Sequence, residues 1–290
     1  ALFLKFLQLR PLCIHAYDFD TVIPALLVRP LIWCKVIYDI SDWYSESRRV
    51  GQLKALVDKI ERWACKKADF VIIAHEKRLV QLAFEPKKWV AIHNVPKDIR
   101  DKIVSQKPPI QGDYFAYVGV LHPDRGLDQI VQATSISKTR AIIAGFGPLE
   151  NYCREISERE AYIHFLGKTS YEETLQIEGH ALAILALYDP SLRNNQLAAP
   201  NKLYEAMMLG RPLVTNRGTL VSQLVEEEKI GVTFTYGDVE GLASAMRWLK
   251  EHPEEREEMG HRARRVYEER YSFERQREKL LRAYEEVLKL

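Results

Sequence analysis

Short apolar runs alternate along this chain with stretches in which apolar residues recur every three or four positions. The runs at 12–16, 35–40, 70–74 and 89–93 read as strands. Between the second and third, Leu53, Leu56, Val57, Ile60 and Ala64 share one face of a helix predicted over 51–67. Further strands are predicted at 114–120, 141–144, 162–166, 181–187, 212–215 and 231–234, with helices between them. One of these carries Leu149, Tyr152, Cys153 and Ile156 at helical spacing. Strands that are apolar throughout and alternate with helices imply an α/β protein with parallel sheets covered on both faces. No internal repeat or low-complexity tract interrupts the pattern.

The periodicity weakens over 97–113, which holds Lys107-Pro108-Pro109 and Gly112-Asp113 and reads as a connector between two α/β domains. The division expected is 1–106, 107–270 and a last helix over 271–290. From Val239 onward the pattern is helical. Asp238 suits an N-cap, Pro253 with Glu254 and Glu255 suits a helix start, and Leu280, Leu281, Tyr284, Val287 and Leu288 share a face. The charge-rich stretch 254–279 reads as a solvated helix surface. Residues 1–10 read as a helix already under way, packed on a sheet or lying on a membrane surface.

Composition narrows the class. With 290 residues the chain holds about two domains at roughly 150 residues each. A net charge of +2 does not call for a nucleic-acid partner. No apolar run reaches the ~20 residues of a membrane helix. Cys13, Cys34, Cys65 and Cys153 have neither disulfide-framework nor metal-ligand spacing, so a reducing cytoplasmic compartment is expected.

Candidate chemistry lies in three loops that follow strands of the second domain, where open α/β sheets bind ligands. The first is Gly119-Val120-Leu121-His122-Pro123-Asp124-Arg125-Gly126. Gly119 allows close backbone approach and Arg125 offers a fork to a phosphate, although an ordinary loop with a surface arginine would read the same. The second, Gly145-Phe146-Gly147-Pro148, is a tight strand-to-helix turn. The third runs through Pro200-Asn201-Lys202-Leu203-Tyr204-Glu205 to Gly210-Arg211-Pro212. Pro200 suits the first turn of a short helix and Gly210 its end. Free N–H groups at that helix start, near Asn201, with Lys202 in the first turn, make an anion site. Glu205, one turn on, can accept hydrogen bonds from paired sugar hydroxyls.

These loops resemble those of GT-B fold glycosyltransferases of the retaining group often called group 1 or family 4. The resemblance runs over 114–247, through Gly119…Arg125-Gly126, the 144–148 loop, His164-Phe165-Leu166-Gly167, 202–212 and Gly231-Val232…Gly237-Asp238. It extends to the first domain through 12–16, 36–42, 68–72 and Ile92-His93-Asn94-Val95-Pro96. It implies two Rossmann-like domains facing a cleft, the first taking the acceptor and the last helix crossing back to it. It implies a UDP- or GDP-linked sugar as donor, retention at the anomeric carbon, a glycan or lipid-linked acceptor and no required metal or other cofactor. The setting it implies is cytoplasmic, with peripheral contact at the inner membrane face. Arg125 and Lys202 would hold the diphosphate, Glu205 the ribose, and Gly119, His122, Gly145, Gly147, Lys168 and Asn201 would line the donor pocket. Asp42 is a candidate contact near the reacting centre.

The sequence departs from the family pattern in four places. Leu197 stands where a first glutamate commonly contacts the donor sugar. Val120 and Arg125 replace an arginine and a lysine of the first loop, and Ser41 replaces a histidine. The opening strand–loop–helix units are not seen, on the order of 60–90 residues at ~30 per unit, which suggests a fragment. A nucleotide-sugar epimerase and a noncatalytic sugar-nucleotide-binding protein are the alternatives. Outside these loops, Asp18-Phe19-Asp20 matches a metal-binding DxD pattern that short acidic spacings produce by chance. His15 reads as a structural histidine, and no HxH or HExxH occurs.

Overall fold

The early apolar runs form strands Cys13–Tyr17 (β1), Lys35–Ile40 (β2), Phe70–Ile73 (β3) and Trp89–Ala91 (β4), paired in parallel in that order. A computed structural model describes residues 1–48 and 50–289. Its contacts separate two units, Ala1–Asn94 with Glu274–Leu290, and Val95–Phe273.

In the first unit the helices are Leu2–Leu9 (α1), Phe19–Ile32 (α2), Tyr44–Ser47 (α3), Lys54–Lys67 (α4) and Leu79–Leu82 (α5). Side chains alternate across the sheet. Val36, Tyr38 and Ile40 of β2 join Val22, Ala25, Leu26, Ala64 and Cys65 on one face. Ile37, Phe70 and Ile72 pack on the other face against Ala283 and Val287 of the C-terminal helix Phe273–Leu288. Helix α1 lies on α2, with Phe3, Phe6 and Leu7 turned to the core. The pattern of the chain gives no sign of α2, because 19–32 is almost continuously apolar and contains Pro24 and Pro30. A helix buried against both a sheet and another helix loses the polar face that periodicity detects.

Glu61 of α4 is fully buried. Its carboxylate accepts hydrogen bonds from the Tyr38 hydroxyl (3.1 Å) and the Tyr44 main-chain N–H (3.2 Å). Burial nevertheless pushes Glu61 up to about 7. A carboxyl with a raised folded-state pKa costs the fold nothing while both states are protonated. The cost grows as pH rises from the usual 4.5 to about 7 and is constant above. Relative to Glu61→Gln, the wild-type protein is therefore expected to lose melting temperature across that window. Parallel melting curves on the two proteins would refute this origin of the shift.

The second unit's sheet contains Phe115–Val120 (β5), Ala141–Phe146 (β6), Ile163–Phe165 (β7), Ile184–Ala186 (β8), Leu213–Asn216 (β9) and Gly231–Phe234 (β10). All pairings are parallel, in the order β10-β9-β8-β5-β6-β7. Its helices are Arg100–Val104 (α6), Leu127–Ser137 (α7), Glu150–Arg159 (α8), Tyr171–Gly179 (α9), Arg193–Leu197 (α10), Asn201–Leu209 (α11), Leu220–Glu228 (α12), Val239–Glu251 (α13) and Pro253–Val266 (α14). Phe115 and Tyr117 of β5 enter one core and Ala116 and Val118 another, on opposite faces. The segment expected as a connector instead carries α6. Its Ile103 is fully buried, and a Cβ on Gly179 would meet its Cγ2 at 2.7 Å. Asp238 caps α13 as expected, its carboxylate accepting from the Gly241 N–H at 2.9 Å. Both units are parallel α/β sheets of the Rossmann type.

Candidate functional site

The chain runs from β5 outward to β6 and β7 on one side, and from β8 to β9 and β10 on the other. Strand order therefore reverses between β5 and β8. In open α/β sheets the crevice outside the carboxyl ends at such a point takes the ligand. The first candidate loop leaves β5 at that point and the second leaves the neighbouring β6, whereas the third, expected to follow a strand, follows α10 in the connection from β8 to β9.

Backbone approach explains the glycines. Gly119 and Gly145 are register partners with φ +145° and +139°. A Cβ on Gly145 would fall 1.8 Å from the Gly119 carbonyl oxygen, and one on Gly147 (φ +150°) 2.5 Å from that of Leu121. A Cβ on Gly119 would lie 3.2 Å from the Lys202 Cε. These glycines thus let two loops and a lysine stem pack together, a need that exists before any ligand arrives. Leu121 N–H donates to the Phe146 carbonyl (2.9 Å) and Gly145 N–H to that of Gly167 (2.7 Å), joining the loops into one surface.

Lys202 lies in the first turn of α11 with only 8% of its surface exposed. Its Nζ stands 3.6 Å from the centre of the Tyr117 ring, a cation–π contact. Burial pushes its pKa down to about 7, against the opposing charge of Glu178, while Arg125 pushes further down. Glu205 is buried as well and bonded to the Tyr171 hydroxyl, and burial raises its pKa to about 6. Glu178 on α9 is fully enclosed, its two carboxyl oxygens have no hydrogen-bond partner among the described residues, and burial raises it strongly.

Arg125 is held from three sides. Its Nη1 donates to Asp124 Oδ2 and to Asn195 Oδ1, both at 2.9 Å, and its guanidinium lies 4.8 Å from the centre of the Tyr188 ring. Asn195 Nδ2 donates to Asp124 Oδ2 at 2.8 Å. Burial opposes ionisation of Asp124, but the Asn195 hydrogen bond and the Arg125 charge outweigh it and hold the carboxyl below its usual range. His122 bonds to the same carboxylate through Nδ1.

The structure gathers Gly119, Gly145, Gly147, Lys202 and Glu205 at the switch point, with Arg125 and His122 on the first loop. Asn201 opens α11 and is exposed. Lys168 is exposed beside Phe146, its Nζ 5.5 Å from that ring's centre. Leu197 ends α10 as a buried apolar side chain. Asp42 belongs to the first unit, where the buried Arg78 donates to it at 2.9 Å. Asp18 of the DxD run accepts from the Ser41 N–H and hydroxyl, both at 3.0 Å, a structural role. His15 bonds to the Tyr284 hydroxyl (2.7 Å) and to Asp39 (3.1 Å), as a structural histidine would. Asp124, Asn195, Tyr171 and Glu178 escape the sequence reading. Asn195 and Asp124 meet across 71 positions, and no local pattern marks that contact.

A parallel α/β unit with cationic loops at its switch point, coupled to a second unit of the same type, defines the class of GT-B folds. The family model described as glycosyl transferases group 1 matches residues 98–266, and the chain belongs to that family. Among curated proteins it is similar to D-rhamnosyltransferase WbpZ of Pseudomonas aeruginosa, 26% identical over 180 residues, or 61% of this chain and 46% of that protein. It is similar too to O-antigen chain mannosyltransferase C of Escherichia coli, 24% identical over 183 residues, 62% and 48% of the two chains. The chain thus spans about half the length of these relatives. Among solved structures, Anabaena HepE in complex with UDP superposes with a TM-score of 0.79 at 14% identity, covering 98% of this chain and 82% of that one.

Proposed function

We propose that the chain transfers a sugar, with retention, from a UDP- or GDP-linked donor to a hydroxyl of a glycan or lipid-linked acceptor. The observation that carries this reading is the buried Lys202 under Gly119, in the first turn of α11, at the switch point of the sheet. A buried ammonium in the first turn of a helix, at the positive end of its dipole, suits a diphosphate. Arg125, fixed by Asp124 and Asn195, is set to act as a second cation without losing side-chain freedom on binding. Together they would stabilise the departing diphosphate by preorganised charge. Asn201, Gly145, Gly147, Lys168 and His122 would line the donor, and ribose hydroxyls would replace the Tyr171 hydroxyl on Glu205.

The first unit, with Asp42 as a candidate contact, would present the acceptor, and the C-terminal helix is part of that unit. The rhamnosyl- and mannosyltransferase activities of the two curated relatives and the UDP bound by HepE support a nucleotide-sugar donor and a role in polysaccharide synthesis, for which we propose a cytoplasmic setting with peripheral contact at the inner membrane face. Incubation with labelled UDP- and GDP-sugars tests the reading. Label leaving the nucleotide for an acceptor supports transfer, whereas label returned as an altered nucleotide sugar would establish epimerisation instead.

Diphosphate favours the protonated lysine, so affinity for UDP is expected to fall as pH rises through about 7, the value to which burial lowers Lys202. Titration calorimetry one unit either side of that value checks the sign. Tighter binding on the alkaline side would remove Lys202 from the diphosphate site.

A further inference from the structure

The described histidines include one cluster that sequence spacing hides. His75 and Glu76 follow β3, His93 follows β4, and these strands are neighbours in the first unit's sheet. Glu76 Oε2 lies 3.2 Å from His93 Nε2 and 3.6 Å from His75 Nδ1, and one ligand atom from each residue falls within 4.8 Å of the others. Both imidazoles are only 5% exposed, whereas the Glu76 side chain is half exposed and leaves a path from solvent. We propose that His75, Glu76 and His93 form a binding site for a borderline divalent cation such as Zn2+.

Lone pairs support this assignment. Gln276 Oε1 accepts the His93 main-chain N–H at 3.0 Å and lies 3.3 Å from His93 Nδ1. The tautomer with its proton on Nδ1, donated to Gln276, presents the Nε2 lone pair to the carboxylate side, as a metal ligand must. In that tautomer the nitrogen and the carboxylate oxygen stand at the separation of two ligands of one cation. His75 adds a third acceptor, because its Nδ1 takes the Lys77 N–H at 3.1 Å. Two ligand atoms each about 2.0–2.1 Å from a tetrahedral ion lie roughly 3.3 Å apart, close to both contacts of Glu76. The His93–Gln276 hydrogen bond behind the ring is the support that orients a ligating imidazole. Coordination by His75 Nδ1 would displace the Lys77 N–H. Water can complete the shell on the open side of Glu76. The ion would tie the carboxyl ends of β3 and β4 together.

A proton on His93 Nε2, donated to Glu76 in a plain hydrogen bond, is the competing arrangement, and the experiment separates the two. Chelator-treated full chain is titrated with Zn2+ by calorimetry and with Co2+ by visible absorption. The site requires one equivalent bound, Co2+ d–d bands without a thiolate charge-transfer band, and a higher melting temperature with Zn2+. Glu76→Gln, at an exposed position that the fold tolerates, should weaken binding roughly tenfold or more, at least the effect of losing a supporting hydrogen bond. His93→Gln should do the same if it folds. Absence of bound metal would leave the plain His93–Glu76 hydrogen bond and overturn the assignment. Binding with a thiolate band, or binding untouched by Glu76→Gln, would overturn it equally.

Discussion

Lys202→Met is expected to weaken UDP binding by roughly 10- to 100-fold, the effect of removing a hydrogen bond to a charged group worth about 1.5–3 kcal/mol. The same substitution should leave the melting temperature unchanged or raised. Lys202 is buried on the Tyr117 ring with its charge disfavoured by burial, and methionine fills a similar volume without that cost. Glu178 and Glu205, both raised by burial, can take up protons when the cation is gone. Lys202→Arg keeps the charge but brings a wider head group beside the Tyr117 ring and the Gly119 backbone, so it is expected to restore only part of the affinity. Titration and melting of the same samples separate the two effects. A variant that melts much earlier and binds UDP normally would mean that Lys202 serves the fold rather than the ligand.

Gly145→Ala is expected to cost the second unit about 3 kcal/mol or more and to abolish donor binding with it. Its φ of +139° disfavours any side chain, and the new Cβ would lie 1.8 Å from a backbone oxygen in a paired strand. Relief requires β5 and β6 to separate, which moves Gly119 and the Lys202 stem below it. Gly167→Ala is the matched control. It too has positive φ, +69°, but a Cβ there meets nothing within 4 Å, so about 1–2 kcal/mol of backbone strain is all it should cost. Denaturant melts of the two variants would show the difference. Equal destabilisation would mean that backbone conformation, not loop contact, explains the glycine at 145.

What could be read from the sequence follows the range of each signal. Strands β2 and β10 appear at the predicted bounds, and α11 ends at Gly210 with φ +67°, because apolar runs and terminators are local. Lys202 and Arg125 could be named because a helix start and a strand-end loop are places where charge has a use. Their surroundings could not. Asp124 and Asn195 fix Arg125 from 71 positions apart, and α10, which carries Asn195, is too short to show periodicity. The sequence reading left Glu205 free for ribose, whereas the fold places the Tyr171 hydroxyl on it, since a buried carboxyl must find a donor. The His75–Glu76–His93 cluster is invisible for a like reason, two strand ends brought together only by sheet pairing.

The proposed transfer depends on the switch point of the second unit binding a nucleoside diphosphate through Lys202 and Arg125. Calorimetric titration of the folded protein with UDP and with GDP tests it most directly. One-to-one binding of at least one of the two is expected, weakened several-fold or more by Arg125→Ala. Failure of a folded protein to bind either nucleotide would contradict it.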